Sequence, residues 1–563
     1  MNAEDLGQTV IIQESKLKHF FSNGMNRIFR YVSQTFLPII SMFFCGHIGS
    51  NELAAVTIAN TFINIGSFSV LVGLCSACDT LLPQLFGGVD KKKVGLVVQK
   101  GLIISFLSCF PTSGILLNVK NLMKFFVQER IVINLADQYI VTYLPAIIFY
   151  SLHIVLQRYV LSQNIFYPIL FINILTNVIN VFLHYLFVFQ FNLGVVGAAI
   201  SVVISNFLIL VFVLSYIIYS KMYILTWSGW TRECLYNWSE YLKLAIPGFA
   251  MLFFGLANFE IGVIAAGKLG KVGISIMSIG IQTTYIAFMI PLGISISANI
   301  RIGQLLGENS PELAKNSCKV SYTFGAIASI LTCLLMFFTS SIIPLAFTSE
   351  GEIIPHAVTL LKFLSFAHIM DALQGIGGGI LKAMGAQFYG FLMVVISLYF
   401  IGIPLGIMLM LKTDYQVLGY WIGYLVGASV LILQQLTFIL NINWTKNAQH
   451  AYNRSLRSSE TKLVQSGEFC YGESSLSDKT PLLKNEKLKL RTLFIKKFPA
   501  IMMVLSIFVF LFLVRFYFFD EDKQLQQLRL DPLSVTPEAS KPTNYMKSNT
   551  TGIFQRIFNF FRG

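Results

Sequence analysis

Two carboxylates stand alone within long apolar stretches of the chain. Glu260 lies in "LFFGLANFEIGVIAAGKLG", residues 252–270, and is the only charged residue before Lys268 in that stretch. Asp371 lies in "FLSFAHIMDALQGIGGGILKAMG", residues 363–385. An acid at the centre of a membrane helix costs about 2.5–3.5 kcal/mol. Such a residue is therefore expected to face a cavity, a partner or a substrate.

A carboxyl group held away from water can bind a proton in one state and an organic cation in another. Because one site cannot hold both ligands well, loading one releases the other, which is the outline of an antiport mechanism. His368 precedes Asp371 by three residues and shares its helix face. It either donates to Asp371, tunes its proton affinity or has a structural role. For Glu260 and Asp371 the alternative is a structural hydrogen bond between helices, and we favour the functional interpretation.

Five further polar residues lie within or beside apolar stretches. Asp79, in "ACDTLLPQ", and Arg301 are predicted as structural or gating residues, with a polar loop anchor as the favoured interpretation. Asn177 and Asn180, in "NILTNVINVF", either line a cavity or bond neighbouring helices, and we slightly favour the second. Gln282, in "IQTTYIAFMIP", is a candidate cavity-lining amide, although an uncharged side chain is more often structural.

The composition is typical of a polytopic membrane protein. Of 563 residues, 55% are hydrophobic and 12% are charged, against about 25% charged in soluble proteins. The mean hydropathy is +0.68. In a lipid bilayer each helix satisfies its own backbone hydrogen bonds, so a helical bundle is expected. The net charge of +14 lies mainly in loops between apolar runs, which favours membrane orientation over nucleic-acid binding.

Neither a metal site, a cofactor nor an enzyme is predicted. Cys75 and Cys78 form a CxxC pair, but no second Cys/His pair lies nearby to complete a zinc site. The chain contains no HExxH motif, no GxSxG motif and no phosphate loop in a plausible context.

Apolar segments predict twelve spans followed by a polar linker and a thirteenth span. They lie at roughly 26–46, 56–86, 95–118, 132–157, 165–191, 196–220, 242–267, 273–300, 320–347, 355–381, 386–411, 416–441 and 499–519. The first is weak because it carries Arg27 and Arg30.

The distribution of Lys and Arg among the loops predicts the orientation. Lys91, Lys92 and Lys93 lie in one loop, and later alternate loops are also basic. The N-terminus and the linker are therefore placed in the cytosol. The remaining predicted segments are a cytosolic segment at 1–25, an interlobe loop at 221–241, a disordered linker at 444–498 and an extracellular or luminal tail at 520–563.

An internal repeat predicts two lobes, 26–220 and 242–443. "GLCSACDTLLPQLFG" from Gly73 aligns without a gap on "GISISANIRIGQLLG" from Gly293, matching Gln84 with Gln304. Three shorter matches, one before this pair and two after it, keep the same order at offsets of 220–222. Because the offset spans six helices, the repeats are parallel and related by a pseudo-two-fold axis normal to the membrane. Two such six-helix bundles leave a central cleft, the geometry of an alternating-access carrier.

Several motifs together resemble the multidrug and toxin extrusion (MATE) transporters. They are "FFCGHIGSNELAAVTIAN", "GLCSACDTLLPQLFG", "LAIPGFAML", "FMIPLGISISANIRIGQLLG" and "GGGILKAMGAQ". The animal branch is most similar, through "CGHIG", "ACDT" and the isolated thirteenth span ending in "LVRFY". The resemblance covers roughly residues 40–445 and 499–517.

The resemblance implies proton-coupled export of organic cations. It places the family's acidic sites on Glu260 and on Asp371 with His368. A further family glutamate in the eighth helix falls on Gln282, which removes one negative charge. The first span also departs from the family, since Asn26 stands where members carry a proline.

Short motifs near the C-terminus predict sorting and modification. Asp478, Leu482 and Leu483, in "DKTPLL", resemble the acidic dileucine signals that clathrin adaptors bind, with chance as the alternative. Without such a signal the plasma membrane is expected, and with it endosomes or lysosomes. Asn549, in "NTT", is a predicted glycosylation site on the outer side.

Two other functions stay open at this point. A lipid or lipid-linked oligosaccharide flippase of similar two-lobed architecture would need no acid within the membrane. A non-transporting membrane scaffold would instead use its long linker to bind partners.

Overall fold

The computed structural model describes residues 37–124, 129–348 and 350–466, and within these ranges the chain is helical and contains no strand. The long helices are numbered in chain order: α1 Leu37–Gly46, α2 Ser50–Gly87, α3 Lys93–Leu117, α4 Arg130–Ser162, α5 Tyr167–Gln190, α6 Gly194–Tyr219, α7 Trp238–Ala266, α8 Gly270–Gly307, α9 Pro311–Thr339, α10 Ile353–Met384, α11 Gln387–Lys412, α12 Gln416–Asn441 and α13 Trp444–Ser466. Short helical turns lie in the connections at Val119–Met123, Tyr223–Thr226, Arg232–Leu235, Gly267–Leu269 and Ile343–Phe347.

Helices α2 to α12 are long and apolar enough to cross a membrane. Helices α7 and α8 follow each other within one stretch, Trp238–Gly307. Gly270 separates them, with a φ of 78° and a ψ of −166°, a conformation open to glycine alone. Each of the eleven predicted spans from 56–86 to 416–441 coincides with one of these helices. The first part of the predicted first span, 26–36, and the predicted span at 499–519 lie outside the described residues.

The helices form two bundles of six, α1–α6 and α7–α12. In the first lobe α4 packs against α2, α3 and α6. In the second lobe α10 packs in the same way against α8, α9 and α12. One buried apolar cluster fills the first lobe and two further clusters lie in the second. The predicted all-helical, two-lobed fold is confirmed for the described residues.

The pseudo-two-fold relation extends to the ends of α4 and α10. Asn164 follows α4 with a φ of 62°, and Gly385 follows α10 with a φ of 76°. These two residues are 221 positions apart in the sequence, the offset of the internal repeat. Glycine and asparagine are the residue types that adopt this left-handed conformation most readily. Both helices therefore stop by the same device at equivalent positions.

The second helices of the two lobes cross where the repeat motif is strongest. Gly87 of α2 packs on the main chain of Gln304, and Gly307 of α8 packs on the main chain of Gln84. A Cβ atom at either glycine would collide with the carbonyl oxygen of the opposite helix. The absence of a side chain thus allows the two backbones to touch. This crossing lies at the end of the bundle that carries Lys91, Lys92 and Lys93, which is called the basic end below.

Helix α13 corrects one prediction. The segment 444–498 was expected to be a disordered linker, but its first part, Trp444–Ser466, is helical. Trp444, Ala448, Ala451 and Ser455 are buried, and their spacing places them on one helix face. That face packs on α2, α8 and α9. The polar overall composition of the segment conceals this short buried stripe.

Candidate functional site

Asp371 is held between α10 and α12 in the second lobe. Its side chain is only 5% exposed. The Tyr424 hydroxyl of α12 donates to Oδ1 of Asp371 at 2.6 Å, and Nε2 of Gln374 donates to the same oxygen at 2.9 Å. Within the described residues, Oδ2 has no hydrogen-bond partner. The carboxyl group is therefore fixed through one oxygen while the second is left unbound by protein.

Sequence analysis did not identify Tyr424 or Gln374. Gln374 lies three residues after Asp371 on the same helix, so the spacing alone indicated a neighbour. Tyr424 offered a weaker signal: it is a tyrosine in an apolar span, and a buried tyrosine hydroxyl usually needs an acceptor. Its partner lies 53 residues away on another helix, and helix periodicity does not predict such a pairing.

His368 is buried beside the acid but is not hydrogen-bonded to it. The residue is 1% exposed, and neither Nδ1 nor Nε2 has a hydrogen-bond partner in the described part of the chain. The donation from His368 to Asp371 that sequence analysis considered is thus absent from this structure. Its place one turn before Asp371 leaves an electrostatic influence on the acid and a structural role as the two open predictions.

Glu260 is half-buried on α7 and close to the residues that hold Asp371. Its neighbour Phe259 packs against the Tyr424 ring at a centroid distance of 5.4 Å and against the Trp421 ring at 6.0 Å. Glu260 itself makes no hydrogen bond or ion pair with any described residue. The structure therefore places Glu260 next to Phe259, which contacts the Tyr424 ring whose hydroxyl is bound to Asp371.

Gln282 is exposed on α8, whereas the adjacent Thr283 and Thr284 are buried. It belongs to the same lobe as the two acids. Its exposed amide adds no charge to this region, so the carboxylates of the second-lobe site are Glu260 and Asp371.

The equivalent part of the first lobe is polar but lacks a carboxylate at the matching position. Tyr150 precedes Asp371 by the repeat offset of 221; it is buried, with its ring 5.0 Å from that of His153. His153 in turn lies 3.1 Å from Oδ1 of Asn206 on α6. The two lobes share a backbone plan, but the first lobe carries a tyrosine at the position that Asp371 occupies in the second.

Asn180 forms a hydrogen bond between helices. Its Nδ2 donates to Oγ of Ser205 on α6 at 2.7 Å, and its main-chain carbonyl oxygen lies 2.9 Å from Nδ1 of His184. Nε2 of His184 lies 2.9 Å from Oγ of Ser41 on α1. The structural interpretation favoured for Asn180 agrees with these contacts. Asn177 is half-buried on the same helix.

Asp79 forms an ion pair inside the first lobe. Its Oδ1 lies 3.1 Å from Nη1 of Arg158 on α4, and both side chains are about nine-tenths buried. This contact anchors α2 to α4 from within a helix and not from a loop, as sequence analysis favoured, and sequence analysis did not predict Arg158 as the partner. Arg301 is half-buried on α8 and has no ion-pair partner in the described ranges.

Hydrogen bonds between the lobes close the cleft at the basic end. Nε2 of Gln84 donates to the carbonyl of Ala383 at 2.7 Å, and Nε2 of Gln304 donates to the carbonyl of Ser162 at 2.8 Å. Gln304 also accepts from Nδ2 of Asn164 at 3.0 Å. The two glutamines match in the internal repeat, so the closure is itself pseudo-symmetric.

Thr80 adds a second set of bonds at this closure. Its Oγ1 donates to the carbonyl of Lys382 at 2.6 Å and accepts from Nε2 of Gln387 at 2.6 Å. Both partners belong to the second lobe. The part of α2 near the basic end is therefore bonded to the junction of α10 and α11 through both Thr80 and Gln84.

Helix α13 covers the same closure from outside the bundle. Arg454 donates to Oε1 of Gln84 at 3.0 Å. The ammonium group of Lys93, on α3, contacts the carbonyl oxygens of Arg454 and Ser455. The α13 helix continues directly from the second lobe, yet these contacts reach the first. It therefore spans the interface between the lobes.

Other features do not contribute to the candidate site. A groove of about 630 Å³ lies on the surface between α11 and α12, lined by residues that include Tyr389 and Gln434, and contains neither acid. Within the described ranges, His, Cys, Asp and Glu form no group of three that could hold a metal ion. Asp478, Leu482, Leu483 and Asn549 lie outside the described residues.

Comparison with known proteins agrees with this architecture. The MatE family model matches residues 27–186 and 257–408. Multidrug and toxin extrusion protein 1 of Oryctolagus cuniculus is 35% identical over 415 residues, covering 74% of this chain and 73% of the relative. The Homo sapiens protein of the same name is 34% identical with the same coverage.

Solved structures of similar fold are transporters as well. The eukaryotic MATE transporter AtDTX14 superimposes with a TM-score of 0.76 at 26% identity, covering 78% of this chain and 99% of that chain. The Vibrio cholerae MATE transporter VcmN shares the fold with a TM-score of 0.67 at 17% identity, covering 79% and 98%. This chain is an integral multi-pass membrane protein that belongs to the multidrug and toxin extrusion (MATE) family of transporters, not to a family of enzymes.

Proposed function

We propose that this transporter exchanges protons for organic cations, with Glu260 and Asp371 as the sites at which the two compete. The carrying observation is Asp371, a nine-tenths-buried carboxyl group whose Oδ2 is unbound by the described protein. A proton bound at this oxygen neutralises the carboxyl group, whereas binding of an organic cation requires the carboxyl group to be charged. Each tenfold proton gradient then supplies about 1.4 kcal/mol to export.

The closure of the basic end supports an alternating-access cycle. With that end in the cytosol, as the basic loops predict, the bonds of Gln84 and Gln304 seal the cytosolic side of the cleft. The cycle then requires these bonds to break so that the cleft opens inward. The names of the relatives, multidrug and toxin extrusion proteins, support drug-like substrates.

Transport by the purified protein in proteoliposomes tests this function. With an acidic interior, wild-type protein should accumulate a fluorescent organic cation from outside, and equal pH on both sides should abolish the net accumulation. Glu260→Gln and Asp371→Asn should each lose it, since neither can exchange a proton. Glu312→Gln is the matched control because Glu312 belongs to the same lobe, on α9, and is exposed. Accumulation that ignores the pH gradient would contradict proton coupling.

The membrane of residence is a separate proposal. We expect the plasma membrane, with endosomes or lysosomes as the alternative if the segment containing Asp478, Leu482 and Leu483 binds clathrin adaptors. Replacing both leucines with alanine should increase the surface fraction measured by biotinylation if the signal acts. An unchanged distribution would remove the motif from consideration.

A further inference from the structure

We propose that Tyr424 and Gln374 are positioning residues that bind one oxygen of Asp371 and leave the other oxygen available to the proton or the cation. The inference rests on the proposed exchange function and adds two residues that act through Asp371. Its basis is geometric: both donors reach the same oxygen, Oδ1, at 2.6 and 2.9 Å.

The two bonds determine where a proton can be added. Protonation at Oδ2 turns Oδ1 into a carbonyl oxygen, which still accepts from both donors, so no bond to protein must break. Protonation at Oδ1 would compete with two established donors. The carboxyl group thus takes up and releases one proton at Oδ2 without rotating or losing its place on α10.

Tyr424 is itself held rigidly, which makes it suitable as a fixed donor. It is 6% exposed. Its ring packs against Trp421 at 5.6 Å and against Phe259 at 5.4 Å. Phe259 is next to Glu260 in the sequence, so the ring that positions Asp371 lies against α7 beside Glu260.

Other titratable groups on the packed helices are few. Besides Tyr424, those on α10 and on the helices packed against it include His368 on α10, Tyr420 on α12, Tyr285 on α8 and Cys333 on α9, and Glu260 lies on α7 beside Phe259. None of them is hydrogen-bonded to Asp371. Tyr420 instead donates to the carbonyl of Asn258 at 2.6 Å.

The donors should influence the pH dependence of transport in a defined direction. A hydrogen bond to a charged oxygen is roughly twice as strong as one to a neutral oxygen, so both donors favour the charged form over the protonated one. Removing either donor should let protons compete with the cation at a higher pH. A merely structural role for Tyr424 would lower the maximal rate and leave this midpoint in place.

Cation exchange at equal pH on both sides of a proteoliposome membrane measures that midpoint without a gradient. Tyr424→Phe and Gln374→Leu should each move the midpoint of proton inhibition to higher pH. Tyr420→Phe is the matched control: it removes the same atom from the same helix, one turn away, and should keep the wild-type midpoint. Two variants on different helices guard against a folding defect in one.

Infrared difference spectra give a second readout. The C=O stretching band of protonated Asp371, identified by its loss in Asp371→Asn, should move to higher frequency when Oδ1 loses a donor. Wild-type midpoints and bands in both Tyr424→Phe and Gln374→Leu would overturn the positioning role while leaving Asp371 in the mechanism. A normal pH profile in Asp371→Asn would instead overturn the proposed function and this inference with it.

Discussion

Gln84 and Gln304 are equivalent residues of the internal repeat, and each donates a hydrogen bond to a main-chain carbonyl at the end of the opposite lobe's central helix. The accepting residues, Ala383 and Ser162, are equivalent as well, since they are 221 positions apart. The interface is thus closed by two pseudo-symmetric copies of the same contact. Because these bonds join the two lobes, opening of the basic end must break them.

Removing both glutamine side-chain amides should favour opening of the basic end. The two glutamine side chains make four hydrogen bonds at this closure. At about 1 kcal/mol for each bond, Gln84→Leu with Gln304→Leu should shift the equilibrium toward the open form roughly 1,000-fold. Spin labels at Lys92→Cys and Glu312→Cys, which are exposed on opposite lobes, would report longer distances. Gln163→Leu is the control because the side chain of Gln163 bonds within its own helix. An unchanged distance distribution in the double variant would contradict the role of the pair.

A side chain at the crossing glycines should prevent closure more completely. Gly87→Ala and Gly307→Ala each place a methyl group against the carbonyl of the opposite helix, and backbone cannot move aside as a flexible side chain can. We expect the basic end to stay open and transport to fall at least tenfold, with normal amounts of protein in the membrane. Gly255→Ala, at an uncrowded position of α7, should transport normally. Wild-type transport by both crossing variants would show that the two backbones need not meet.

Helix α13 should strengthen the closure through Arg454. The Arg454 guanidinium donates to Gln84, and replacing it with alanine removes about 1 kcal/mol from the closed form. The same spin-label pair should therefore show a shift of roughly fivefold toward the open state. Because Arg454 acts through Gln84, the change should disappear when Gln84 is already leucine. Additive effects of the two substitutions would mean that Arg454 acts by another route.

The Asp79–Arg158 pair should contribute to stability rather than to coupling. Breaking a buried ion pair by removing one partner costs about 3–5 kcal/mol, since the other charge stays buried. Asp79→Asn should therefore lower the melting temperature of the purified protein by several degrees. Combining it with Arg158→Gln should lower it by less than the sum of the single changes. The pH midpoint of cation exchange should not move, and a shift as large as that expected for Tyr424→Phe would place the pair in the coupling mechanism.

Local sequence was sufficient to predict most of the transmembrane helices. Runs of apolar residues from 56–86 to 416–441 predicted eleven helices of the structure, because hydropathy and intrahelical hydrogen bonding are both local properties. The internal match of Gln84 with Gln304 predicted two parallel lobes. The solitary acids Glu260 and Asp371 were conspicuous in sequence because a charge within a lipid-spanning segment is costly.

Pairings between distant residues depended on the tertiary structure. Tyr424 contacts Asp371 across 53 residues of sequence, and Gln84 contacts Ala383 across 299. The rotation of one helix relative to its neighbour determines such contacts, and the amino-acid composition does not predict that rotation. Helix α13 was missed for a related reason, since its buried stripe has meaning only where α2, α8 and α9 meet. Sequence by itself determined where the helices run and where charge enters the membrane. Only the packing of the helices decided which oxygen of Asp371 accepts the hydrogen bonds, which end of the cleft is sealed and which side chains seal it. The reason is that side-chain contacts between helices depend on a three-dimensional arrangement that local periodicity does not encode.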